Sequence, residues 1–77
     1  MHIKVLGSGC KKCDEAMKLV ERKVAETGAD AHVEKVTDTA TIMAYGVMST
    51  PSVVVDETVV HSGSVPSEKQ IAGWLGQ

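Results

Sequence analysis

The stretch from Ile3 to Val36 constrains the fold more than any other part of the chain. Ile3-Lys4-Val5-Leu6 is a short aliphatic strand stopped by Gly7-Ser8-Gly9. From Cys10 the period changes. Cys13, Ala16, Met17, Val20 and Val24 recur at spacings of three and four and form one apolar helical stripe. Lys11, Lys12, Asp14, Glu15, Lys18, Glu21 and Arg22 occupy the solvated remainder, and Gly28 is a natural stop. His32-Val33-Glu34-Lys35-Val36 then alternates polar and apolar, as a half-buried edge strand does. Two strands joined by a helical crossover pair in parallel and wind right-handed. In open α/β sheets, sites gather where such strands end and their helices begin, which is where Cys10 falls.

The remainder continues the pattern. Thr37 and Asp38 are both competent N-caps for a short second helix with Ala40, Met43 and Ala44 as its apolar positions and Gly46 as its stop. Val53-Val54-Val55 suits a buried strand. Asp56-Glu57 connects it to Thr58-Val59-Val60 in an expected hairpin, although Asp-Glu is not a favoured turn pair. Ser67, with Gln70 three residues on, predicts a capping box for a last helix whose apolar face is Ile71, Trp74 and Leu75.

Composition removes several functions. With 77 residues the chain is expected to be one domain, 1–77, and a monomer. Eight Lys and Arg against ten Asp and Glu leave no excess of positive charge for a phosphate backbone, so nucleic acid is not an expected partner. No apolar run approaches the roughly 20 residues that span a bilayer, and no signal-peptide pattern opens the chain. A cytoplasmic, reducing location is therefore the expectation. Phe is absent and Tyr45 and Trp74 are single, so the core must be aliphatic.

The cysteines carry the chemistry. A bridge between Cys10 and Cys13 closes a minimal loop, which the chain-entropy model credits with about 2 kcal/mol, against about 4.7 for a loop of ~100 residues. A cross-link for stability would sit elsewhere. Beside a βαβ pattern, this spacing reads as a redox motif. Cys10 lies by the unpaired N–H groups and positive end of the helix dipole, whereas Cys13 lies one turn in, on the apolar stripe. The expected asymmetry is one exposed thiolate to attack and one shielded thiol to wait. Lowering a free thiol from about 8.5 to about 7 needs roughly 2 kcal/mol, at 1.36 per unit. A helix N-terminus supplies about 0.3–1 kcal/mol, rising to ~2 when partly buried, and Lys11 and Lys12 add positive charge.

Other readings compete. Two cysteines could be half of a zinc site, but His2, His32 and His61 share no ligand-like spacing with one another, so no metal site is expected. Each histidine reads as an ordinary strand-surface residue. The methionines read as core fillers, except Met48, which precedes Pro51 in a loop that is able to face the cysteines.

Gly9-Cys10-Lys11-Lys12-Cys13 together with Tyr45-Gly46-Val47-Met48-Ser49-Thr50-Pro51 resembles the thioredoxin-like superfamily, in particular its minimal group of small redox-active disulfide proteins. The resemblance spans nearly the whole chain. It implies a four-stranded mixed sheet flanked by three helices, in the order β-α-β-α-β-β-α. It implies that Cys10 is the nucleophile and Cys13 the resolving thiol of a protein-disulfide reductase needing no cofactor. It makes Thr50–Pro51 a cis peptide against the cysteine pair, with Thr50 offering its backbone to an extended partner segment. Lys11 and Lys12 would tune potential and partner choice. Implied partners are disulfide-containing client proteins and a thioredoxin-reductase-type electron donor. The chain departs from thioredoxins proper in having Gly9 for a Trp, Lys11-Lys12 for Gly-Pro, and Lys4 but no buried acid on the first strand. A soft-metal chaperone binding copper or zinc through the same pair is the alternative, and a non-enzymatic adaptor using its edge strand is a third.

Overall fold

In a computed structural model that describes residues 1–7 and 11–76, seven elements follow one another. They are β1 (His2–Leu6), α1 (Lys11–Thr27), β2 (His32–Val36), α2 (Thr39–Ala44), β3 (Ser52–Val55), β4 (Thr58–Ser62) and α3 (Glu68–Trp74). The sheet order is β2-β1-β3-β4. β1 and β2 are parallel, with His2 opposite His32 and Leu6 opposite Val36. β3 is antiparallel to both β1 and β4. Among the described residues no helix is long and apolar enough to cross a membrane.

Alternation along β1 builds a core on each face. Ile3 and Val5 point to one side, where they meet Ala16 and Val20 of α1, Val53, and Ile71 and Leu75 of α3. Leu6 points to the other, where it meets Val36, Val54 and Ile42 of α2. The α1 stripe is as the spacing predicts: Cys13, Ala16 and Val20 are buried, and Gly28 closes the helix at φ +66°, its N–H donating to the Val24 carbonyl.

The second helix differs from expectation. Its buried residue is Ile42, whereas Ala40, Met43 and Ala44 are exposed. A helix of six residues has less than two turns, so it turns a single position squarely into the sheet, and the neighbours of that position face water. Asp38 is the N-cap, its carboxylate accepting from the Thr41 N–H at 2.9 Å and the Thr41 hydroxyl at 2.7 Å, and these bonds hold its pKa below the usual carboxylate range.

The hairpin forms despite its turn residues. Asp56 and Glu57 both take left-handed backbone, at φ 46° and 68°. Such a conformation costs roughly 1–2 kcal/mol for an ordinary L-residue. The turn is tied down from outside: the Asp56 carboxylate accepts from the His2 N–H at 2.8 Å, and the Asp56 N–H donates to the His2 carbonyl at 2.9 Å. A register shift follows in the ladder between Val53 and Val54.

The capping box of α3 is present in both directions, Gln70 N–H to Ser67 Oγ and Ser67 N–H to Gln70 Oε1. Gly73 sits exposed inside this helix, with nothing within 4 Å of the point a Cβ would occupy. Gly73→Ala should therefore stabilise the protein by about 1 kcal/mol. A thermal melt should register a rise of about 4–8 °C, and an unchanged or lower midpoint would reveal a backbone role for this glycine.

Candidate functional site

The site lies where β1 ends. Gly7 leaves the strand at φ +144° with its N–H donating to the Val36 carbonyl at 2.9 Å. A Cβ at this position would stand 2.5 Å from Cys13 Sγ, 3.3 Å from Cys13 Cβ and 3.2 Å from Thr50 Cβ. The missing side chain thus lets the first turn of α1 and the loop before β3 converge on one point. In sequence, Gly7 marks only the end of a strand. Its function as a seat for Cys13 had no signature beyond its place directly after the strand.

Cys13, on the apolar stripe in the first turn of α1, is 1% exposed. Cys10 lies outside the described residues. Lys11 and Lys12 open α1 and are both exposed, and neither takes part in an ion pair among the described residues. Cations at a helix N-terminus oppose its dipole by about 0.3–1 kcal/mol each. The acid of this first turn, Asp14, is drawn towards β2 by Lys35, whose Nζ lies 3.0 Å from its carboxylate. Asp14 thus pairs across to β2 and forms no ion pair with Lys11 or Lys12.

Thr50 and Pro51 face this point from the β3 side. Their peptide bond is cis, Pro51 is buried and Thr50 is exposed. Two bonds fix the loop: Ser52, fully buried, donates its hydroxyl to the Ser49 carbonyl at 2.6 Å, and the Gly63 N–H donates to the Pro51 carbonyl at 3.0 Å. Beside Thr50 opens a groove of about 420 Å³, bounded by Gly7, Ile42, Met43, Val47 and Met48. Met43 is 68% exposed and Met48 fully so. Met48 lines this groove beside Thr50 and Gly7.

Lys4 does not face Cys13. It points to the α2 face, the opposite side of the sheet from α1. There its ammonium donates to the Tyr45 hydroxyl and to Glu57 Oε1, both at 2.8 Å, and Tyr45 donates to the same carboxylate at 3.1 Å. The bond to Glu57, then that to Tyr45, raises the Lys4 pKa, and the bond from Lys4, then that from Tyr45, lowers that of Glu57. This trio ties the end of α2 and the strained turn to the central strand. Its sequence signal is a lysine in the middle of a strand that is flanked on both sides.

The element order and sheet topology define an α/β protein with a thioredoxin-like fold. The Thioredoxin domain family model matches residues 1–76, and the chain belongs to the thioredoxin family. It is 39% identical over 69 residues to a thioredoxin of Methanocaldococcus jannaschii, covering 90% of this chain and 79% of that protein. It is 32% identical over 71 residues to a thioredoxin of Methanothermobacter thermautotrophicus, covering 92% of each. At the level of the family, the protein is a thiol–disulfide oxidoreductase.

Two substitutions check this architecture. Gly7→Ala should destabilise by about 1–3 kcal/mol, because the new methyl must displace Cys13 Sγ and the backbone angle disfavours a side chain. Denaturant melts measure it, and a neutral result would mean that the convergence at Gly7 is loose. Glu57→Gln tests the trio through pH. The Glu57 pKa is depressed by folding, so its contribution is present above the unfolded value and is lost as pH falls through the folded one. The wild-type advantage over Glu57→Gln should be present at neutral pH and fade in acid below the ordinary carboxylate range.

Proposed function

We propose that the protein is a protein-disulfide reductase that works as an electron carrier through Cys10 and Cys13. The Cys10 thiolate attacks one sulfur of a client disulfide. A Cys10–client bond forms, and the first client sulfur leaves as a thiolate. Deprotonated Cys13 then attacks Cys10 Sγ, the second client sulfur leaves, and a Cys10–Cys13 disulfide remains. Two electrons have passed to the client, and its thiolates take up the protons. A thioredoxin-reductase-type donor returns two electrons to the pair. No resident cofactor is needed, and the working unit is the 1–77 chain as a cytoplasmic monomer.

The observation that carries this reading is the seating of buried Cys13 against Gly7, in the first turn of a helix that opens with Lys11 and Lys12, neither of which has a partner acid among the described residues. A shielded thiol suits the resolving role. The dipole and the lysines suit a thiolate at the position before them. The exposed Thr50 backbone and the groove beside it suit an extended client segment, with Met43 and Met48 offering adaptable apolar contact. Lys11 and Lys12 flank that segment and select among clients by charge. The soft-metal chaperone reading expects a final strand, whereas the chain places α3 at Glu68–Trp74.

Insulin-disulfide reduction with dithiothreitol as electron source tests the assignment. Cys10→Ser should fall to the uncatalysed rate. Cys13→Ser should lose turnover yet accumulate a mixed disulfide with the client, visible by mass spectrometry. Alkylation of the reduced protein against pH should modify Cys10 selectively, with an apparent pKa well under the free-thiol value of about 8.5. Equal rates at both cysteines, each tracking an ordinary thiol, would remove the nucleophile–resolver assignment. A Cys10→Ser chain that binds clients as tightly as wild type would favour the adaptor.

A further inference from the structure

The end of the sheet remote from Cys13 carries a second cluster of reactive side chains. β1 and β2 pair in parallel with His2 opposite His32 and Lys4 opposite Glu34. By alternation, His2, Lys4, His32 and Glu34 share the α2 face. Ile42 of α2 covers the upper part of that face, over Leu6, Val36 and Val54, and leaves the lower part to these polar residues. Each of His2, His32 and Glu34 offers a ligand atom, and the three atoms lie within 4.8 Å of one another. His2 Nε2 and Glu34 Oε1 are 3.2 Å apart, and the two imidazoles meet edge to face with centroids 5.1 Å apart.

We propose that His2, His32 and Glu34 form a surface site for a divalent transition-metal cation of borderline softness, with Zn²⁺ as its representative. Two imidazoles and one carboxylate are a donor set suited to such an ion. A tetrahedral zinc with bonds of about 2.0–2.2 Å places its ligand atoms about 3.3–3.5 Å apart. The His2–Glu34 pair, at 3.2 Å, lies just under that spacing. The remaining contraction needs only side-chain rotation, which the exposure of His2 and Glu34 (44% and 46%) permits. The fourth position is open to water.

The surrounding charge favours a cation. Glu34 lies in the cluster, the Asp56 carboxylate accepts from the His2 N–H, and Glu57 is close enough to His2 to interact electrostatically. Against these three acids stand Lys4, whose ammonium is already held by Glu57 and Tyr45, and the Met1 ammonium, which donates to the Asp30 carbonyl. A simple ion pair with Glu34 would employ one protonated histidine and leave the second ring beside it unexplained. A shared metal uses both neutral rings.

The site is separate from the dithiol. Along β1, His2 and Gly7 are roughly 17 Å apart at about 3.3 Å per residue. An occupied site would clamp the edge strand β2 to β1 at their N-terminal ends.

The test uses Zn²⁺ on the full chain carrying Cys10→Ser and Cys13→Ser, so that thiols cannot bind the ion and the result is independent of the redox assignment. Histidine-ring NMR and calorimetry follow the titration. One equivalent should shift the His2 and His32 resonances and leave those of His61, which bonds to Ser64 instead, unmoved. Zinc should also raise the thermal midpoint in proportion to its binding. His32→Asn or Glu34→Gln, with folding checked by circular dichroism, should weaken binding by about tenfold or more. Unaltered affinity in both variants, an equal response at His61, or zinc binding that occurs only while the cysteines are present would overturn the site.

Discussion

The central position of β1 is the constraint on which the rest of the molecule depends. It is hydrogen-bonded on both edges, to β2 and to β3, so every backbone group in it is committed. Its side chains must then serve two faces in strict alternation. Ile3 and Val5 anchor the core under α1 and α3, and Leu6 anchors the smaller core under α2. Neither cluster is large, and the buried members of both are aliphatic, with Trp74 and Tyr45 packing only at their margins. Their cohesion comes from sharing one strand, so a shift of β1 by a single residue would exchange the two faces and abolish both cores at once.

The same strand also sets out the polar chemistry. Its C-terminal end delivers Gly7, against which Cys13 and Thr50 both pack. Its middle delivers Lys4, which the short α2 cannot cover and which is therefore satisfied by Tyr45 and Glu57. Its N-terminal end delivers His2, bonded through its backbone to Asp56. Glu57 and Asp56 hold left-handed backbone that glycine would take without strain. Their side chains explain why glycine is not there: each is bonded to a different residue of β1. The turn accepts local strain because its side chains dock the hairpin on the central strand, a conflict between local preference and tertiary contact settled in favour of the contact.

Much of this was legible from residue order alone. The α1 stripe, the capping box at Ser67 and Gln70, and the β-branched run at Val53 each write their periodicity or chemistry into neighbouring positions, so local rules find them. Proximity of Thr50–Pro51 to the Cys13 region was legible only through family resemblance, because the segments are far apart in sequence. Three features escaped. Ile42 was overlooked in α2, since six residues are too few for a stripe to declare itself. The Lys4–Tyr45–Glu57 trio needs the sheet order before its members can meet. His2 and His32 share no ligand spacing along the chain, yet the parallel register puts them side by side. What escaped is long-range pairing, which sequence encodes through hydrophobic faces rather than through the polar residues that ride on them.

The start of α1 shows how function departs from these local rules. A helix favours acids in its first turn, yet this one opens with Lys11-Lys12, and the Asp14 carboxylate is turned aside to Lys35. For helix stability alone, each choice is unfavourable. For the thiolate proposed at Cys10, each would be favourable: the dipole and both ammonium groups would act on one charge, and neither lysine takes part in an ion pair among the described residues. Exposed lysines are screened beyond about 8 Å at physiological salt, so their influence is confined to the helix start. Cys13, only one turn further in, is protected from solvent by Gly7 and the apolar stripe. Under the proposed assignment of Cys10 and Cys13, a difference between the two thiols would come from charge at the helix start for one and burial for the other, without requiring a dedicated base.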